Sequence, residues 1–100
     1  MPLDLSPEQL EIVQTILKKF VPNLPVWAFG SRVKNQAKLY SDLDLAIITE
    51  QPLDFATHAD LVNAFSDSDL PWKVDIVDWA TTSEEFRAII LQKYEVVQGK

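Results

Sequence analysis

The strongest constraint on how this chain can fold lies between Trp27 and Ile48, which reads WAFGSRVKNQAKLYSDLDLAII. Two short apolar runs, Val26 to Phe29 and Leu45 to Ile48, read as buried strands. The first ends at Gly30-Ser31, and the second is led in by Asp42-Leu43-Asp44. Strand side chains alternate between faces, so Asp42 and Asp44 project together while Leu43 and Leu45 point the opposite way. Two residues along a strand span about 6.6 Å, a spacing at which two carboxylates can flank a pair of divalent cations about 3.5–4 Å apart. Gly30 lets a backbone or a phosphate approach closely, and Ser31 sits where a helix would begin, with free N–H groups suited to anions.

A phosphate cradle facing a two-carboxylate site suggests nucleotidyl transfer. The same residues carry a family resemblance: Gly30-Ser31, ten residues, then Asp42-x-Asp44 resembles the signature of the DNA polymerase β-like nucleotidyltransferase superfamily. The short chain looks most like the minimal nucleotidyltransferase (MNT) branch, the MNT half of HEPN/MNT gene pairs, and the resemblance covers nearly the whole length. A bare Asp-x-Asp is as a rule a solvated turn. Here the Gly-Ser pair, the spacing and the strand–helix–strand setting are fixed together.

One hundred residues make one domain, residues 1–100, with a single core. Nine Lys and Arg against fifteen Asp and Glu give a net charge of −6. An autonomous nucleic-acid binder normally carries a basic patch, so a polynucleotide substrate would need a partner to supply the positive surface. There is no cysteine, which excludes disulfides and thiolate metal sites and fits a cytoplasmic protein. No basic-then-apolar leader opens the chain, and no run approaches the ~20 apolar residues of a membrane span.

Ser6-Pro7-Glu8-Gln9 predicts a helix start, with Ser6 as N-cap and Gln9 closing a capping box. Leu10, Val13, Ile16, Leu17 and Phe20 follow at helical spacing, and Lys18 and Lys19 suit the last turn. Pro22 and Pro25 end that helix. Ser31 to Ala37 predicts a short helix or turn, followed by a polar loop through Tyr40. Asn35 stands in this loop where superfamily members often carry glycine. Arg32 and Lys34 could reach triphosphate oxygens, Arg32 with bidentate geometry, or serve as surface cations paired with acids. A helix capped by Asp54 would present Phe55, Ala59, Val62 and Phe65 on one face, with the only histidine, His58, away from it.

Trp72 to Trp79, WKVDIVDW, reads as the third strand, with Val74 and Ile76 on one face and Asp75 and Val77 on the other. A carboxylate inside an apolar strand is costly unless paired or bound to a cation, and a place beside Asp42 and Asp44 supplies a reason for Asp75. Asp78 has the opposite parity and suits capping of the following turn. Thr82 with Glu85 reads as a capping box, and Phe86, Ile89, Ile90 and Tyr94 as the inward stripe of the last helix. Tyr94 to Gln98 either prolongs that helix or forms a short edge strand. Trp27, Trp72 and Trp79 are core residues or part of an exposed partner surface.

The resulting order describes an α/β (α+β) fold, a small mixed sheet flanked by helices. The resemblance implies the polymerase β-like fold, antiparallel pairing of the second and third strands, and Asp75 as the superfamily's third carboxylate. It implies Gly30 and Ser31 as nucleotide-binding residues, to which Arg32 is added on its own chemistry, and Asp42, Asp44 and Asp75 as catalytic. Three converging carboxylates repel one another and call for cations. Oxygen-only ligands favour two Mg²⁺ ions, or Mn²⁺, held by Asp42, Asp44 and Asp75. ATP is then the substrate. The resemblance also implies a HEPN-domain helical partner in a hetero-oligomer, an RNase toxin whose tyrosine receives AMP. Two other readings stay open: a non-catalytic antitoxin acting by binding, and the catalytic subunit of a two-component small-molecule nucleotidyltransferase.

Overall fold

In the computed structural model the described residues are 4–33 and 41–99. Lys34, Asn35 and the loop through Tyr40 lie outside them. The first helix, α1 (Pro7–Phe20), starts as the sequence predicts. The Ser6 hydroxyl accepts from the Gln9 N–H at 3.1 Å, and the Gln9 side chain accepts from the Ser6 N–H at 3.0 Å. Val13 and Leu17 are fully buried, with Leu10, Ile16 and Phe20 packed around them. Lys18 and Lys19 occupy the last turn, where cations complement the helix dipole.

Four strands form one sheet in the order β3-β2-β1-β4: β1 (Val26–Phe29), β2 (Leu43–Ile47), β3 (Val74–Asp78) and β4 (Glu95–Gln98). β1 runs antiparallel to both β2 and β4. β2 and β3 are parallel, which corrects the antiparallel pairing expected there. The connection between them contains α2 (Phe55–Ser66), and a helix crossing the sheet brings the chain back to the end where β2 began. The sheet is therefore mixed, as expected, but with its parallel pair at the site-bearing end.

Alternation sorts the strands into two faces. Val26, Ala28, Leu43, Leu45, Ile47, Val74, Ile76 and Val97 join α1 and α2 in the main core. The opposite face carries Trp27, Phe29, Ala46 and Val77 against α3 (Glu84–Gln92), whose Ile90 is fully buried. Tyr94 to Gln98 resolves as an edge strand, with β4 tied to α1 by a 3.1 Å bond from the Gln14 amide to the Val97 carbonyl.

Two helix faces differ from the expected ones. On α2 the buried line is Leu61 and Phe65, while Phe55 is 89% exposed and Val62 43%. Phe55 sits at the first helical position, and the face turned to the core follows the i, i+4 pair Leu61–Phe65. His58, one turn before Leu61, is half-buried as a result. Asp54 occupies the N-cap position without a side-chain hydrogen bond. On α3, Ile89 is 48% exposed, and the cap is Ser83, whose hydroxyl accepts from the Phe86 N–H at 3.2 Å. Thr82 lies one residue before this cap, and its hydroxyl donates to the Asp78 carbonyl at 2.7 Å.

Asp78 is structural, as its strand parity predicts. Its carboxylate accepts from the Thr49 hydroxyl, from the Leu53 N–H at 2.7 Å and from the Ala80 N–H at 3.2 Å, capping the 3-10 turn Trp79–Thr81. Removing the acceptor strands the Leu53 N–H and the Thr49 hydroxyl, while the Ala80 N–H keeps its 3.1 Å bond to Thr49 Oγ1. Asp78→Ala is therefore expected to cost about 2–4 kcal/mol, read as a lower denaturant midpoint at unchanged slope. A shift worth less than about 0.5 kcal/mol would show that water replaces the carboxylate.

The tryptophans fall mainly to the core reading. Trp72 is 7% exposed beneath Arg32, and Trp27 stacks on Tyr94 at 4.2 Å with Trp79 edge-on at 5.5 Å. Among the described residues no helix is long and apolar enough to cross a membrane.

Candidate active site

β1 ends at Gly30, whose φ of 82° is in the left-handed region that glycine alone adopts without strain. The chain turns there, with the Val33 N–H donating to the Gly30 carbonyl at 3.1 Å. Phe29 is opposite Asp44 in the antiparallel register, so the turn passes over the Asp44 side chain. A Cβ on Gly30 would overlap Asp44 Oδ2 and come within 3.2 Å of Asp44 Cγ. On its other side Asp44 is in register with Asp75. Neighbouring strands are about 4.8 Å apart, so the backbone ladder alone fixes these two carboxylates side by side on one face.

Gly30, Asp44 and Asp75 line a cavity of about 460 Å³ together with Phe29, Val77, Phe86, Ile89 and Lys93. The sheet supplies the acidic floor and α3 the opposing wall. A larger hollow of about 670 Å³, between Asn23 and Asp54 on the loops around β2's far end, lacks the left-handed turn, and its two acids, Glu50 and Asp54, are not held in register by neighbouring strands.

Burial pushes the Asp44 carboxyl up to about 6, with the charges of Asp75 and Asp42 adding to the shift. Asp75 meets Lys73 at 3.5 Å, but both side chains are well exposed, so the pair does little to neutralise the floor. No hydrogen bond or ion pair among the described residues serves Asp44.

Of the expected site residues, the fold brings Gly30, Asp44 and Asp75 together. Asp42 stands at the edge, exposed, close enough to act on Asp44 through its charge but not lining the cavity. Ser31 is half-buried in the turn beside Gly30 and does not line the cavity either. Arg32 goes elsewhere. It is 5% exposed, its Nε donates to the Ser41 carbonyl and its Nη1 to the Asp4 carbonyl, both at 3.0 Å, and its guanidinium lies 4.3 Å from the Trp72 ring. Burial lowers its pKa, and the charges of Asp4 and Asp42 oppose that shift. This geometry uses Arg32 to fasten the turn after β1 rather than to line the cavity.

The donor set facing the cavity is carboxylate oxygen, which suits a hard divalent cation, and the unrelieved charge on Asp44 is what such an ion would relieve. As placed, no three Asp, Glu, His or Cys side chains among the described residues stand close enough to share one ion. The fit is a two-carboxylate floor with a third acid at its rim.

Sequence reasoning missed Lys93 and did not give Phe86 or Ile89 a place in the cavity. Part of the signal was present in spacing: Phe86 and Ile89 are three apart on α3 while Ile90 holds the core side, but Lys93 follows the helix in extended conformation and no periodicity marks it.

Gly30 packed on Asp44, with Asp75 in register beside it, is an arrangement with the chemistry nucleotidyl transfer requires, and residues 11–100 match the family model for polymerase β nucleotidyltransferases. The chain belongs to that family and is a nucleotidyltransferase, of the minimal kind. It is 63% identical over 98 residues, 98% of this chain and 86% of the other, to the probable protein adenylyltransferase MntA of Haemophilus influenzae. Among solved structures it is similar to a toxin–antitoxin crystallised with AMP-PNP, with TM-score 0.77 and 23% identity over 91% of this chain and 73% of that one. It is also similar to a complex of tri-AMPylated Shewanella oneidensis HEPN toxin with MNT antitoxin, with TM-score 0.65 and 23% identity over 91% and 73%. At that identity the structural likeness concerns the fold.

Proposed function

We propose that this chain transfers AMP from ATP to a tyrosine hydroxyl of a HEPN-domain partner and so acts as the antitoxin of the pair. The observation that carries the reading is the in-register Asp44–Asp75 pair under the Gly30 turn, in a chain 63% identical to a probable protein adenylyltransferase. The partner assignment is supported by the HEPN–MNT complex among its structural neighbours.

In this reading the turn at Gly30 and Ser31 receives the β- and γ-phosphates through backbone N–H groups and the Ser31 hydroxyl. The acceptor oxygen attacks the α-phosphorus in line, the bond from that phosphorus to the bridging oxygen of the β-phosphate breaks, and pyrophosphate leaves. Asp75 takes the acceptor's proton. Asp44, Asp75 and, at the rim, Asp42 would hold Mg²⁺ or Mn²⁺, which when bound neutralises charge on the phosphates and the attacking oxygen. The exposed mouth of the cavity at Ile89 leaves room for an acceptor presented by another protein.

The test is incubation with Mg²⁺, α-labelled ATP and the HEPN protein encoded beside this one, with Asp42→Asn/Asp44→Asn as control. Label on the partner, absent from the control and abolished by EDTA, is the expected result. Equal silencing of the partner by wild type and control, with no label in either, would replace the enzyme by a binding antitoxin. Label on a small hydroxyl compound instead would make it the catalytic subunit of a small-molecule transferase.

A further inference from the structure

We propose that Lys93, at the C-terminal end of α3, binds the terminal phosphates of the nucleoside triphosphate across the cavity from Gly30. The proposal deepens the transfer reading and rests on it. Its first support is position: Lys93 lines the same cavity as Gly30, Asp44 and Asp75, on the facing wall.

The second support is an accounting of cations. A polyanion entering a cavity floored by two carboxylates meets repulsion that the protein has to offset. Lys18 and Lys19 end α1, on the other face of the sheet. Arg32 is 5% exposed and donates to two backbone carbonyls. Arg87 donates from Nε and Nη2 to the Trp79 carbonyl, at 3.1 and 2.6 Å, with its guanidinium 5.1 Å from the Trp79 ring. Lys73 pairs with Asp75 and does not line the cavity. Among the described residues Lys93 is the one cation that does.

The third support is the helix itself. The last carbonyls of α3 make its C-terminal end partly negative, which disfavours a phosphate chain there unless a cation stands between. Lys93 is the C-cap and supplies it. Phe86 and Ile89 precede it on α3 and line the same cavity, with Lys93 following Gln92, the last residue of the helix. An apolar stretch of wall for the nucleoside thus continues into a cationic end for the phosphates.

Calorimetric titration of ATP and of AMP into wild type, Lys93→Met and Lys93→Arg, in Mg²⁺, tests this. Loss of one charge-assisted contact should weaken ATP about tenfold in Lys93→Met, leave AMP within about twofold, and be largely rescued in Lys93→Arg. Lys93 is exposed, so the melting temperature should not move. ATP and AMP weakening together would overturn the proposal, as would Lys93→Met binding ATP like wild type while wild type transfers AMP. If wild type neither binds ATP more tightly than AMP nor transfers it, the transfer reading fails and the proposal goes with it.

Discussion

Gly30→Ala is expected to abolish transfer while lowering the melting temperature only moderately. The two losses have different sources. Alanine at φ 82° carries backbone strain of about 1–2 kcal/mol, worth roughly 5–10 °C in a domain of this size. The new methyl group also overlaps Asp44 Oδ2, the free end of a short side chain that can swing aside at modest cost in stability. Swinging aside moves the carboxylate from its place beside Asp75, and with it the acidic floor. The double variant Gly30→Ala/Asp44→Ala separates the terms. It should regain the part of the stability lost to overlap, keep the part lost to strain, and remain inactive. If Gly30→Ala transfers AMP at more than about a tenth of the wild-type rate, the close packing of the turn on Asp44 does not position the reacting groups.

Asp44→Asn should show the opposite pairing: transfer reduced on the order of a thousandfold or more, and a protein more stable than wild type in metal-free buffer at neutral pH. The Asp44 carboxyl is pushed up to about 6 from 3.8, so the folded protein holds its proton where the unfolded chain has released it. Stability consequently falls as pH rises from about 4 to about 6 and stays at the lower level above that. The group is half exposed, and solvent screening reduces the penalty to about 1 kcal/mol, or about 4–8 °C. An amide does not ionise, so the stability gap between variant and wild type should open through this window. Added Mg²⁺ should close it by stabilising only the wild type. Coincident melting curves for the two proteins from pH 4 to pH 8 would show that Asp44 is not under charge strain.

Much of the site was legible because strand parity is a local rule. Asp42, Asp44 and Asp75 each declared a face through their apolar neighbours, and Asp78 declared the opposite face and a capping role. The direction of β3 was not legible, because it depends on where α2 delivers the chain and not on the composition of either strand. Phe55 misled for a similar reason: at the first position of α2 it shares a helical line with Ala59 and Val62, but the sheet meets the helix along Leu61 and Phe65. Arg32 looked like a phosphate ligand because it follows Gly-Ser; only the tertiary fold brings the Asp4 and Ser41 carbonyls and the Trp72 ring around it. Lys93 lies far along the chain from the motif and reaches the cavity only because α3 packs across that face of the sheet.

β4 follows the other three strands in the chain, yet it pairs with Val26, Trp27 and Ala28 of β1, the strand that leads into Gly30. During synthesis β1 can pair with β2 as soon as Ile47 has emerged, but its other edge stays bare until Glu95 to Gln98 follow. Every copy terminated before that point therefore displays an unpaired strand edge with apolar side chains. An edge of that kind invites pairing with another chain, so the pairing of β4 also guards β1 against aggregation.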